Sequence, residues 1–203
     1  MTAIRNGDIL AFTRILTQYP GLVNKPIHWG LKQQNIAHPL HFLCDAVFEG
    51  YLSENSALAM AELLLNKGAN INGPLLPGKD TPLIAACSLY TDQLGLLYLS
   101  HQPKLTHKGV HGGTCLHWAA YTGSDTMVGA LIKTGMPLND LDNEFRSPPI
   151  GWAIHAVQQK EPKRNQGQQI NCIRLLAGAG AQFDGSVISS EAWPEITKAL
   201  GLN

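Results

Sequence analysis

One short pattern recurs along this chain at a nearly constant interval, and this repetition limits the possible folds more than any other feature. Each copy combines residues that favour a helix start with the small and apolar residues of a packed helix. The four copies read HPLHFL from position 38, TPLIAA from 81, TCLHWA from 114 and PPIGWA from 148, at separations of 43, 33 and 34 residues. A repeat of about 20–50 residues is typical of a chain built from stacked supersecondary units.

The repeated units also end alike. The closing segments read LLLNKGANIN at 63–72, LIKTGMPLND at 131–140 and LLAGAGAQFD at 175–184. Within them Gly68, Gly135 and Gly180 follow a helical pattern, and they predict left-handed residues that end a helix. Gly123, between a start and an end, predicts the end of a first helix. Each unit is therefore predicted to contain two short helices joined by a turn.

This order of signals resembles the ankyrin repeat family, whose unit of about 33 residues carries the T-P-L-H-x-A signature. The best copy runs from Thr114 to Asn139, and Asp142 stands where the family usually has Asp. The resemblance implies an all-α fold, an ankyrin-repeat solenoid of stacked helix-turn-helix pairs with β-hairpin or loop fingers. It implies a single ankyrin repeat domain over 1–203, with repeats at 1–37, 38–80, 81–113, 114–147 and 148–184 and a C-terminal capping helix at 185–203.

The residue types in the signature have physical roles. Thr81 and Thr114 are predicted to cap first helices with their hydroxyl groups, and Pro82 suits the first helical position because its missing N–H is not needed there. The resemblance implies that His41 and His117 form hydrogen bonds that tie successive repeats. These positions are therefore interpreted as structural.

Three insertions lengthen the connections. The segment 25–37 is predicted to be a finger whose apolar residues Ile27, Trp29 and Leu31 are buried. The segment 49–56 is predicted to lengthen the link between the two helices of the second repeat. The segment 158–169 has no apolar residue and is predicted to be an exposed, mobile loop.

The charge balance excludes one large class of partners. The 203 residues include 15 Lys and Arg against 15 Asp and Glu, so the formal net charge is zero. Nucleic acid is not an expected partner, because binding to it requires a basic surface. No apolar run approaches the roughly 18–20 residues of a membrane span, so no membrane association is expected. The absence of a signal peptide pattern and of C-x-x-C spacing predicts a cytoplasmic protein with reduced thiols.

The resemblance also implies where a partner would bind. In ankyrin arrays the fingers and first helices line a concave groove, and Tyr121, Phe145 and His155 are the strongest candidates there, because such aromatic residues are enriched at interface hot spots. Trp118 and Trp152 are predicted either to pack between repeats or to form an exposed aromatic floor. The remaining groove candidates are Asp45, Ser88, Lys108, Val110, His111, Asn143 and Glu144.

The sequence therefore predicts a monomeric protein-interaction module without catalytic activity, cofactor or metal. Common nucleotide-binding, nucleophile-elbow and metalloprotease motifs are absent, and Asp140 and Asp142 are interpreted as solvated turn residues. Three alternatives remain open. The chain could be an inhibitor that neutralises a toxin or an enzyme, or an effector or a fragment of a larger protein. It could also bind a small ligand or a metal through His101, His107 and His111.

Overall fold

The structure is a computed structural model that describes residues 1–32, 34–159, 166–184 and 193–201. The chain divides into two compact units. The first contains Met1–Leu76 and Asp80–Lys104, and the second contains Pro77–Lys79 and Leu105–Asn203. Residues 160–165 of the predicted loop at 158–169 lie outside the described residues, and residues 158–159 and 166–169 are helical, so the prediction of a loop is wrong there. Residues 185–192 and 202–203 of the predicted capping segment also lie outside the described residues.

Three successive helix pairs build the first unit. They are α1 (Thr2–Arg5) with α2 (Ile9–Gln18), α3 (Pro39–Phe48) with α4 (Glu54–Asn66), and α5 (Pro82–Ser88) with α6 (Asp92–Ser100). First helices contact first helices, since α3 packs against α1 and α5, while α4 packs against α2 and α6. Phe42 and Leu64 are buried in this core, and the buried Tyr98 hydroxyl donates to the Leu40 carbonyl oxygen at 2.8 Å. The unit is therefore held by contacts between neighbouring pairs.

A short β-hairpin precedes α3. Its strands β1 (Ile27–Trp29) and β2 (Asn35–Ala37) are antiparallel. Trp29 is buried against Phe42, with ring centroids 5.0 Å apart, so the predicted burial of this finger is confirmed at Trp29. The prediction is wrong for Leu31, which is fully exposed because it lies in the turn beyond the paired residues.

The second unit contains two further helix pairs. They are α7 (Cys115–Thr122) with α8 (Asp125–Lys133) and α9 (Pro149–Gln159) with α10 (Gln166–Gly178), followed by α11 (Trp193–Leu200). The helix α7 packs against α9, α8 packs against α10, and α11 packs against α10. A 3₁₀ turn (Val110–Gly112) precedes α7, and residues 134–148 connect α8 to α9. These two connections approach each other beside the first helices and become the fingers of this unit.

The helix ends follow the predicted chemistry. Thr81 Oγ1 accepts a hydrogen bond from the Ile84 N–H at 3.2 Å. Thr114 and His117 form a capping box. The Thr114 side chain accepts a hydrogen bond from the His117 backbone N–H, and the His117 side chain accepts one from the Thr114 backbone N–H. Gly123 has a φ of +74° and ends α7 in the left-handed conformation that favours glycine. These local signals are therefore confirmed.

The predicted all-α class is confirmed, since the described residues are mostly helical and contain one two-stranded sheet. The solenoid and the five repeat boundaries stay predictions. No helix in the described ranges is long and apolar enough to cross a membrane.

Candidate functional site

Six of the predicted binding residues surround one pocket in the second unit. This aromatic pocket has a volume of about 520 Å³ and is bordered by α7, α9 and the two fingers. The predicted residues in its lining are His111, Trp118, Tyr121, Phe145, Trp152 and His155. The sequence carries no signal for the other lining residues, which are Ser147, Gly151, Ile154 and Gln158.

The aromatic rings of the pocket are steeply inclined to one another. Trp118 and Trp152 have centroids 5.1 Å apart at 81°. Tyr121 is inclined by 89° to Trp118 and by 83° to Trp152, and Phe145 by 70° to Trp152. Edge-to-face contacts contribute about 0.5–1.5 kcal/mol beyond the burial of area. The rings therefore support one another and form pocket walls of different orientations.

The two tryptophans combine the roles that the sequence left open. Trp152 is 7% exposed and belongs to the core, whereas Trp118 is half-buried. Both still border the pocket. Each of these tryptophans can therefore pack between helices and also form part of the pocket surface.

Asp142 holds the finger beneath the pocket, and its interpretation as a solvated turn residue is wrong because the side chain is fully buried. Its Oδ1 accepts hydrogen bonds from the backbone N–H groups of Glu144 and Phe145. Its Oδ2 accepts from the Ser147 N–H at 3.0 Å and from Trp152 Nε1 at 2.9 Å. A single carboxylate therefore shapes the finger and fixes an indole ring of α9.

These hydrogen bonds keep Asp142 ionised. Burial on its own would raise the pKa of the Asp142 carboxyl, but the hydrogen bonds from Trp152 and from the finger backbone outweigh burial and lower the pKa below its ordinary value. The resulting stabilisation is present above the pKa of the unfolded chain. It is lost as the pH falls through the folded-state pKa.

The other finger depends on an unusual backbone conformation at His111. Its φ is +57°, in the left-handed region that few residues other than glycine adopt. The His111 carbonyl oxygen accepts from the N–H groups of Asn143 and Glu144 at 3.2 and 3.3 Å, and Nδ1 lies 2.5 Å from Glu144 Oε2. A Cβ on Gly112 would lie 2.4 Å from the Cβ of Asn143, so a side chain has no room there. The two fingers are therefore locked together.

His117 has the tying role that the resemblance implies. Its Nδ1 accepts from the Thr114 N–H at 3.1 Å, and its Nε2 lies 3.2 Å from the Ser147 carbonyl oxygen. Burial lowers the pKa of His117, although the contact with Ser147 opposes this effect, so the ring stays neutral and donates from Nε2. Its centroid lies 5.3 Å from that of Trp152. The His117 imidazole therefore contacts the start of α7 at Thr114, the finger at Ser147 and α9 at Trp152.

The other predicted residues divide into two groups. Lys108, Val110, Asn143 and Glu144 belong to the fingers but do not line the pocket. The Lys108 ammonium donates to the Leu141 carbonyl oxygen at 2.6 Å, which adds a further link between the fingers. Asp45 and Ser88 belong to the first unit, on α3 and α5.

Asp45 lies among acidic groups on the first unit. Burial, with smaller contributions from the charges of Glu49 and Asp80, raises the pKa of Asp45 to about 7. His41 Nε2 lies 3.5 Å from Asp45 Oδ2, but burial lowers the pKa of His41, so this ring adds little positive charge at neutral pH. The ionised form of Asp45 is therefore destabilised in the folded protein.

The substitution Asp45→Asn is expected to stabilise the protein near pH 8 by about 1 kcal/mol or more. A raised carboxyl pKa makes the folded state less stable as the pH rises from the unfolded pKa, near 4, through about 7. Asparagine has no charge to bury, so the variant does not lose stability in this way. The difference from the wild type disappears below about pH 4, where Asp45 is protonated in both the folded and the unfolded state. Urea unfolding across this pH range measures the difference. The control is Glu62→Gln, at an exposed position of the same unit, and an equal gain from Asp45→Asn at all pH values would contradict the prediction.

Within the part of the chain that the structure describes, no three His, Cys, Asp or Glu side chains are grouped to hold a metal ion. His107 Nε2 lies 2.9 Å from the Lys79 carbonyl oxygen, and His111 contacts Glu144. These contacts give the two histidines local structural partners.

The comparison with known families agrees with the geometry of this region. Residues 111–143 match the family model named ankyrin repeat. They contain α7, the His111 turn and the buried Asp142, which shape the pocket or its fingers, and also α8. A search of curated proteins found no match to the chain. The match covers 33 of the 203 residues and therefore supports a likeness to the ankyrin repeat in this part of the second unit.

Proposed function

We propose that the chain is a non-catalytic protein-interaction module whose partner binds the aromatic pocket and the adjoining fingers of the second unit. One observation carries the proposal: six residues selected as groove candidates, from separate parts of the sequence, line one pocket. The match to the ankyrin repeat model is consistent with it, since ankyrin repeats suggest protein–protein interaction.

The surface around the pocket has the character of a docking site. Phe145 is 60% exposed, and Val110, next to His111, is 40% exposed. Exposed apolar side chains grouped around a concave surface favour contact with another protein. The hydrogen bonds of Asp142 and His111 fix both finger backbones in advance, which reduces the entropy that binding would cost.

The wider proposal follows the sequence. We propose five repeats in one solenoid, acting as a monomer in the cytoplasm, with no metal, cofactor, nucleic acid or membrane involved. The zero net charge supports a protein partner over nucleic acid. An inhibitor of a toxin or an enzyme would be a special case, in which binding also blocks the partner's activity.

Changing Tyr121 to Ala is expected to weaken partner binding by about 30-fold, because hot-spot aromatic residues contribute about 2 kcal/mol or more. The partner is first captured from the native cell, identified by mass spectrometry and purified. The dissociation constant is then measured for the wild type and for Tyr121→Ala, Phe145→Ala and His155→Ala. All three side chains are exposed or half-buried, so we expect the variants to stay folded, with melting temperatures lowered by a few degrees through the lost ring contacts.

The matched control is Tyr19→Ala, which removes an exposed aromatic ring from the first unit. It should leave the dissociation constant unchanged. Equal binding by the control and all three pocket variants would contradict the proposed location of the binding site.

A further inference from the structure

We infer that the aromatic pocket receives a trimethylated lysine side chain of the partner protein. The inference rests on the proposed function, because it names the group that the partner would insert. It follows from three observations on the second unit: the mutual inclination of the rings, the charges around them and the small number of polar groups in the lining.

The ring geometry favours a compact, rounded group. Trp118, Tyr121 and Trp152 are inclined to one another by 81° to 89°, so their planes are arranged like the three faces at the corner of a box. Phe145 supplies a fourth ring at 70° to Trp152. A flat group such as guanidinium or another aromatic ring can stack on one plane at a time. A trimethylammonium group is nearly spherical and can contact several rings at once.

The charges favour a cation. The faces of aromatic rings carry a partial negative charge that attracts cations, most strongly at tryptophan. The Trp152 indole N–H donates to the buried carboxylate of Asp142, which places a negative charge at the edge of that ring. Glu144 is bound to the lining residue His111. The lining contains neither Lys nor Arg. The nearby Lys108 ammonium is bound to the Leu141 carbonyl oxygen, and Arg146, on the finger, is exposed.

The sparse polar lining favours a methylated ammonium over an unmodified one. An unmodified lysine ammonium is strongly hydrated and has three N–H donors that require acceptors. The side-chain acceptors in the lining are limited to Ser147, Tyr121, Gln158 and His155, since His111 is bound to Glu144. A trimethylammonium group has no N–H donor, so it enters an aromatic pocket without leaving donors unpaired. Recognition of quaternary ammonium groups by aromatic walls uses this property.

The experiment titrates the full chain with small probes and needs no partner. The probes are capped trimethyllysine, its neutral isostere with carbon in place of the charged nitrogen, capped unmodified lysine, choline and a capped triproline. Binding is followed by NMR of the indole and aromatic resonances. Capped trimethyllysine is expected to bind about 5- to 30-fold more tightly than its neutral isostere, as cation–π contacts of about 1–2 kcal/mol require. It should also bind more tightly than unmodified lysine.

Two variants locate the binding. Tyr121→Leu and Phe145→Leu keep apolar volume but remove a ring, and each should weaken trimethyllysine binding at least about fivefold. Tyr19→Leu, outside the pocket, should have no effect. Heteronuclear spectra of each variant verify that the chain is folded. Loss of binding that occurs equally in Tyr19→Leu would overturn the inference.

Each remaining outcome is also decisive. No binding of trimethyllysine, equal binding of the neutral isostere or preference for unmodified lysine overturns the inference. Tighter binding of triproline, or binding of choline alone, overturns it in favour of an extended proline segment or a free ligand. If the partner's affinity depends on Tyr121 while trimethyllysine does not bind, the proposed function stands and this inference fails. If trimethyllysine binds but pocket variants leave the partner's affinity unchanged, the pocket chemistry stands and the proposed binding location fails.

Discussion

Replacing Asp142 with asparagine is expected to lower the free energy of unfolding by on the order of 3 kcal/mol, although the two side chains have nearly the same shape. Each carboxylate oxygen accepts two N–H groups. An asparagine has one oxygen, so its amide NH₂ must face a pair of donors in either orientation. Two donors, each at least partly buried, then lose their acceptor, at about 1–3 kcal/mol each.

The loss is measured by urea unfolding, and the indole N–H resonance of Trp152 reports whether its hydrogen bond is broken. Asp140→Asn is the control, since Asp140 is a half-buried residue of the same finger. The Asp142 variant should also lose part of its sensitivity to acid. The lowered pKa of the wild-type carboxyl stabilises the folded state above the unfolded pKa and ceases to do so at lower pH. A Trp152 resonance and an unfolding free energy that both match the wild type would refute the role assigned to Asp142.

Leu131→Ala is expected to lower the free energy of unfolding by about 2–5 kcal/mol. Leu131 lies on α8 and is fully buried, in a helix that packs against α7 and α10. Removing most of its side chain loses buried apolar surface and leaves a cavity that these helices can fill only in part. Chemical denaturation followed by circular dichroism measures the change.

Leu175→Ala provides the matched comparison, because Leu175 is a leucine of the same unit that is 39% exposed. It should cost considerably less than Leu131→Ala. A similar small loss in both variants would show that the interface of α8 with its neighbours does not hold this unit together.

The helix pairs could be predicted from the sequence because their ends are set by local chemistry. A Thr hydroxyl at Thr114 and a left-handed Gly123 act within one turn of chain, so the residues themselves contain the signal. Exposure was harder to predict, since it depends on distant elements. Trp29 packs against Phe42, whereas Leu31, in the same hairpin, is fully exposed to solvent.

The candidate site was predicted in part for a similar reason. The aromatic residues of the pocket follow fixed positions of the repeat, so a resemblance can place them. The role of Asp142 depends on Trp152, which lies ten positions later on α9 and donates a hydrogen bond to the carboxylate. An acidic residue in a turn is ordinarily solvated, and the only signal against this was an Asp where the family usually has one. The lining residues Ile154 and Gln158 also carried no signal of their own, because their position depends on how α9 faces the fingers.

Asp142 holds the finger through its backbone, so the shape of the finger and the chemistry of its exposed side chains are set by different groups. The carboxylate holds backbone N–H groups of residues 144, 145 and 147, while the side chains of Asn143, Glu144 and Phe145 are exposed. Substitutions at these three positions therefore change what the surface presents, while the backbone hydrogen bonds to Asp142 remain available to hold the path of the chain. A library randomised there, or natural divergence after gene duplication, can alter specificity while the loop keeps its fold.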